Sequence, residues 1–161
     1  MKNYIKLELA ALGENEGFAR NAVAAFALSL NPSLNELSDI KTAVSEAVTN
    51  CIVHAYSHEK GKKIVIECEV ERFDEGGELH IRITDFGVGI EDVERATMPF
   101  FTTLPEGERS GMGFTIMQTF MDDFCVESKM GEGTTVRMRK RIGCLPTQEE
   151  LKVCEKERVN A

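Results

Sequence analysis

Several features that would assign this chain to a class at once are missing. No apolar run in its 161 residues reaches the roughly 18 that a membrane span needs. The opening MKNYIKLELA alternates polar and apolar, which is a strand pattern rather than a secretory leader. A cytoplasmic protein with no membrane partner is therefore expected. Positive charge is scarce: 19 Lys and Arg stand against 27 Asp and Glu, a net charge of −8. That balance suits neither DNA nor RNA, whose phosphates want a basic surface, so no nucleic-acid partner is expected. A bound nucleotide would need local cations or a metal ion to offset its phosphates. The five cysteines (Cys51, Cys68, Cys125, Cys144, Cys154) are odd in number and form no CxxC pair. Neither a disulfide framework nor a zinc knuckle is indicated, and reduced thiols are expected. His54 and His58 are four apart but lack HExxH and a third ligand. There is no GxxxxGK[ST] and no GxGxxG in a βαβ unit, which removes the P-loop and dinucleotide-binding readings. No repeats or low-complexity tracts occur.

What is present is an orderly alternation of elements. Ile5, Leu7 and Leu9 mark a strand over 4–10. Phe18, Val23, Phe26 and Leu30 fall at helical spacing over 14–30, and Asn31-Pro32 breaks the run. A second helix is predicted over 35–57, with Leu37, Ile40, Val44, Ala47, Val48, Cys51 and Ala55 as its apolar stripe. IVIECEVERF (64–73) and ELHIRITD (78–85) alternate about a DEGG turn, a hairpin. Then come DFGVGI (85–90), a long segment MPFFTTLPEGE (98–108) of the kind that serves as a lid, and RSGMGF (109–114), which opens a helix through IMQTFMDD. FCVESKMGEGTTVRMRKR (124–141) reads as a second hairpin turning at 130–133. The expected fold is an α/β two-layer sandwich, a mixed β-sheet covered on one face by helices. Residues 1–142 form the domain. Residues 143–161 are expected to be a C-terminal extension, a short helix or disordered, with a capping-box pattern at 147–150.

SEAVTNCIVHAY (45–56) poses the functional question. Glu46, Asn50 and His54 recur every four residues on a helix that otherwise heads for a core. On a helical wheel Glu46 and Asn50 lie about 110° from the centre of the stripe, at its border. A carboxylate there is costly without a partner, which points to chemistry. Taken alone, the pair also fits the solvent edge of an amphipathic helix. The glycine stretches carry weight beside it: Gly87 and Gly89 follow a strand, where glycine lets backbone approach a ligand, and Ser110, Gly111, Met112 and Gly113 stand at a helix start, where free N–H groups attract phosphate. Each alone is also compatible with an ordinary turn.

In this order and spacing the pieces resemble the GHKL superfamily, the ATP-binding fold shared by gyrase, the heat-shock chaperone, histidine kinases and mismatch-repair ATPases. SEAVTNCIVHAY looks like its N box, DFGVGI and RSGMGFTIM its two glycine boxes, and GEGTT (131–135) its threonine-bearing strand. FARNAVAAF, KTAVSEAVTN, PFFTT and ERSGMGFTIMQTFMD narrow the likeness to the anti-sigma F factors, serine protein kinases of endospore-forming bacteria. The resemblance covers about residues 1–142.

The roles below are what the resemblance implies. ATP and Mg²⁺ are the expected cofactors. Asn50 matches the metal-binding asparagine and Glu46 the general base. Asp85 matches the aspartate that accepts from the adenine amino group, and Thr134 completes that site. Gly87 and Gly89 pass beside the base, while Ser110, Gly111, Met112 and Gly113 serve the phosphates. Arg109 is the candidate cation at the γ-phosphate. Thr102 and Thr103 lie in the lid, with simple β-propensity as their other reading, and Arg20 on the first helix is assigned to a partner surface. Ala55 stands where many relatives have glycine. The implied function is an anti-sigma factor and kinase: as a homodimer it holds a sigma factor, and it phosphorylates an anti-anti-sigma factor on serine. A general-stress anti-sigma kinase of the same superfamily, an ATP-binding module without phosphotransfer and an ATPase fragment of a larger machine are the alternatives.

Overall fold

A computed structural model describes residues 1–99 and 111–143. Thr102, Thr103, Arg109, Ser110, most of the lid segment and the extension beyond 143 lie outside the described residues. Five strands, β1 (Lys2–Ala10), β2 (Lys63–Arg72), β3 (Gly77–Asp85), β4 (Asp123–Lys129) and β5 (Gly133–Ile142), form one sheet in the order β1-β2-β3-β5-β4. Every neighbouring pair is antiparallel, so the sheet is not mixed as expected. The connection from β3 to β4 contains helices and leaves those two strands parallel. However, β5 returns from its hairpin to lie between them and pairs antiparallel with both.

Helix α1 (Gly13–Ala27) continues as one 3₁₀ turn over Leu28–Leu30 and stops at Asn31, whose left-handed φ of 54° turns the chain. Ser33 caps α2 (Leu34–Asn50) with a capping box. Its hydroxyl accepts the Glu36 N–H at 3.2 Å, and its own N–H donates to Glu36 Oε2 at 2.7 Å. A four-residue helix α3 (Val93–Ala96) was not anticipated; Asp92 caps it by accepting the Arg95 N–H at 2.9 Å. Helix α4 (Gly113–Phe120) is shorter than expected, because residues from Asp123 are drawn into β4.

The alternation of β2, β3 and β5 sends Ile64, Ile66, Cys68, Val70, Leu79, Ile81, Ile83, Val136, Met138 and Ile142 beneath the helices. They meet Val23, Ile40, Val44, Val48 and Met117 in one core. Each such aliphatic side chain contributes about 1.5–3 kcal/mol by leaving water. Phe18, one of the four apolar residues at helical spacing, is 57% exposed. Small residues Ala19, Ala24 and Ala27 carry the buried face there, which lets α1 approach α2 closely. The other face of the sheet is laddered with charge, including Glu67, Arg82, Arg137 and Arg139. Lys140 shares the helical side with Val136, Met138 and Ile142, and there donates to Asp39 at 3.0 Å and to the Phe120 carbonyl at 2.6 Å, joining β5 to α2 and α4.

Candidate active site

The helix bearing the polar row does not run on regularly. After Asn50 the backbone widens into a π-helical turn over Cys51–Ala55. Such turns are rare and concentrate at functional sites. Tyr56 ends it, its N–H donating to the Cys51 carbonyl at 3.1 Å. The Tyr56 hydroxyl then donates to the Lys63 carbonyl at 2.6 Å and accepts the Phe86 N–H at 2.7 Å. One phenol thus pins the end of the polar helix to the start of β2 and to the loop leaving β3.

That loop is held tightly. Asp85, at the end of β3, is 4% exposed. Its Oδ1 accepts the N–H groups of Gly87 at 3.0 Å and Thr134 at 3.2 Å, and the Cys51 thiol is hydrogen-bonded to its carboxylate. Burial pushes the Asp85 carboxyl above its ordinary value, opposed by those three bonds. Burial likewise pushes the Cys51 thiol well up, and the neighbouring Asp85 charge adds to it. Gly87 is obligatory on steric grounds: a Cβ would lie 2.3 Å from the Ala55 carbonyl oxygen. So is Gly89, with φ of 76° and a Cβ position 2.2 Å from the Lys129 carbonyl oxygen. Val88 exchanges bonds with both sides, donating to Ala55 at 3.2 Å and accepting from Gly131 at 2.8 Å.

These elements enclose a cleft of about 680 Å³, the size of a small-molecule site. Glu46, Asn50 and His54 line it from the polar helix, Asp85, Gly89 and Thr134 from the loop after β3 and the start of β5, and Gly111, Met112 and Gly113 from the start of α4. Glu46 and Asn50 are half-buried, at the border the wheel predicted. Gly113 opens α4 directly over them: a Cβ there would come 3.1 Å from Glu46 Oε2 and 3.3 Å from Asn50 Oδ1. Gly87 shapes the loop rather than lining the cavity. Arg20 is placed elsewhere, on α1, paired with Glu16 at 3.4 Å.

Cys51, Tyr56, Glu91, Asp92 and Arg95 were not singled out from sequence, although all but Tyr56 line the cleft. Asp is a favoured residue at a helix N-cap, which was the available signal for Asp92. Among the described lining residues, four carboxylates (Glu46, Asp85, Glu91, Asp92) face one guanidinium, Arg95. A polyphosphate enters such a site only with cationic help. The amide oxygen of Asn50 beside the carboxylate of Glu46 is a donor set suited to a hard, hydrated divalent ion. The buried Asp85 is suited to a base with an N–H donor. The residues therefore fit a nucleotide with a divalent cation.

Known proteins resemble this chain in sequence and in fold. Residues 9–140 match the family model described as the histidine kinase-like ATPase domain. Anti-sigma F factors from Thermoanaerobacter sp. (strain X514) and Geobacillus kaustophilus are 52% and 50% identical to the chain; each match covers 88% of this chain, and 95% and 94% of those proteins. One from Clostridium botulinum (strain Eklund 17B / Type B) is 51% identical, covering 89% of this chain and 98% of that one. Among solved structures, the RsbU and RsbW domains of a Mycobacterium tuberculosis protein superpose with a TM-score of 0.58 at 14% identity, covering 87% of this chain and 32% of that one. The mycobacterial sensor histidine kinase MprB gives 0.51 at 16% identity, covering 88% and 100%. At these identities the fold is what those two structures share with it. No helix among the described residues is long and apolar enough to cross a membrane. With half its residues identical to theirs across nearly their full length, the chain belongs to the anti-sigma F factors of the histidine kinase-like ATPase family.

Proposed function

We propose that the chain is an ATP-dependent serine protein kinase that also restrains a sigma factor. Its phosphoryl acceptor is a serine of a small anti-anti-sigma protein, and a homodimer with nucleotide bound holds the sigma factor. The observation that carries the reading is the convergence, in one cleft, of Glu46 and Asn50 beneath Gly113 with the buried Asp85. The names of the relatives supply the partner class.

Asp85 and Thr134 would hold the adenine, and Gly89, Gly111 and Gly113 bring backbone close enough to meet sugar and phosphates. Asn50 would hold Mg²⁺ through its amide oxygen, and the ion supplies charge neutralisation at the phosphates. Glu46, one helical turn away, accepts the proton of the acceptor serine as its oxygen attacks the γ-phosphorus and the bond to the bridging oxygen breaks. Ser110, Arg109 and Thr103 are proposed as further phosphate contacts. Arg20, on α1 and not among the residues that line the cleft, is proposed for the partner surface.

The test is an incubation of the purified chain with γ-labelled ATP, Mg²⁺ and the anti-anti-sigma protein. Label on a serine of the acceptor is expected. Stable ATP binding with no label transferred would reduce the chain to a nucleotide-binding module.

A further inference from the structure

Ser128, at the end of β4, is not among the residues that line the cleft. Its hydroxyl oxygen is 2.8 Å from the Ile90 nitrogen, 3.0 Å from the Gly133 carbonyl oxygen and 2.8 Å from Thr134 Oγ1. The Ile90 N–H only donates and the Gly133 carbonyl only accepts, and a serine hydroxyl has a single hydrogen. The arrangement that satisfies all three contacts is unique. Ser128 gives its hydrogen to Gly133 and accepts from Ile90, so Thr134 must donate to Ser128. The hydrogen of the Thr134 hydroxyl is thereby held towards Ser128, and its lone pairs remain for whatever enters the cleft. Beside it, Asp85 accepts the Thr134 and Gly87 N–H groups and, ionised, has only acceptors to offer.

We infer that Ser128 is a positioning residue for nucleobase selection: by holding the Thr134 hydrogen it makes the site at Asp85 and Thr134 acceptor-only, which favours a 6-amino purine and disfavours a 6-oxo purine. This rests on the ATP-binding reading of the cleft. Asp85 alone repels an oxo group, but a freely rotating Thr134 hydroxyl beside it turns and donates to one. Ser128 removes that escape, because an oxo group would leave acceptors facing acceptors in a buried place.

The experiment compares Mg²⁺-supported binding of ATP and ITP by titration calorimetry; because ITP gains an N1–H as well as a 6-oxygen, 6-methoxypurine riboside triphosphate, whose N1 carries no hydrogen, is the arm that isolates the oxygen and should follow ITP. For Ser128→Ala the ATP-to-ITP affinity ratio is expected to fall roughly three- to tenfold, the worth of one hydrogen bond. Most of the change appears as tighter ITP binding. Ser128→Thr, which keeps the hydroxyl, retains the original ratio. With Thr134→Val as background, Ser128→Ala leaves the ratio where it was. Ser128→Cys, which preserves volume with a weak donor, shifts the ratio in the same direction as alanine and serves if the alanine variant does not fold. A ratio unmoved by Ser128→Ala or Ser128→Cys, or ATP and ITP weakening in parallel, overturns the inference and leaves Ser128 as a loop tether. Failure of the unmutated chain to bind ATP at all removes the parent reading, and this one with it.

Discussion

The backbone of Gly113 passes so close to Glu46 that a single added carbon would sit 3.1 Å from its Oε2. This spacing is tight but meets a flexible carboxylate, so the fold can absorb it while the carboxylate moves. Gly113→Ala is expected to leave stability within about 1 kcal/mol of the parent yet slow phosphoryl transfer on the order of ten- to a hundredfold, because a displacement of under an ångström at a reacting group has that effect. Thermal melts and single-turnover transfer, run side by side, separate the two. A melting loss with transfer intact per folded molecule would contradict it.

Glu46→Ala should retain Mg²⁺-ATP binding and lose transfer by about 10²–10⁴-fold, the range for a positioned base. Binding is read by calorimetry and transfer by label on the acceptor. Unchanged turnover would remove the base assignment.

Asp85→Asn puts an N–H₂ where the cleft offers an acceptor. ATP should weaken roughly ten- to a hundredfold, and more than ITP does. The same variant carries a signature in folding. Burial raises the Asp85 carboxyl above its ordinary 3.8, so between that value and the raised one the folded chain holds a proton that the unfolded chain has released. Its contribution to stability is fully present at lower pH and declines as pH rises through that window. Urea titrations from pH 3 upward should show the parent losing stability relative to Asp85→Asn as pH increases. A difference independent of pH would count against it.

Tyr56→Phe removes the hydroxyl that serves both the Lys63 carbonyl and the Phe86 N–H. Both lose their partner in a half-buried place, and a loss of about 1–3 kcal/mol is expected in denaturant unfolding. ATP affinity should drop as well, since the Asp85 loop loses its anchor.

The thiols offer a chemical check on packing. Burial pushes the Cys68 thiol up to about 12 and the Cys51 thiol well up too, while Cys125 is exposed. Alkylation of the native chain followed by peptide mapping should mark Cys125 and spare Cys51 and Cys68. Rapid modification of Cys51 would mean the π-helical turn opens readily.

Period and punctuation made much of this legible in the sequence. The strand alternations, the Asn31-Pro32 break and the two hairpins are local signals, and the structure places them within a few residues. Glu46 and Asn50 stand where a helical wheel puts them. What was not legible depends on non-local competition. Phe18 has helical spacing, but the alanines beside it win the interface because they let two helices close up. The π-helical turn widens a helix whose pattern reads as regular. The insertion of β5 between β3 and β4 is a pairing choice that no periodicity encodes. Ser128 had no signal at all, since a serine in an alternating strand is unremarkable until its three neighbours are known.

The strand order has a consequence for biogenesis. The buried Asp85 ends β3, while Thr134, whose N–H it accepts, comes on β5, some fifty residues later in synthesis. Until that last strand slots in, β3 presents a bare hydrogen-bonding margin, a temporary invitation to mispairing. The cleft is therefore incomplete until β5 is in place, and under the proposed function a nucleotide bound there would stabilise the completed sheet.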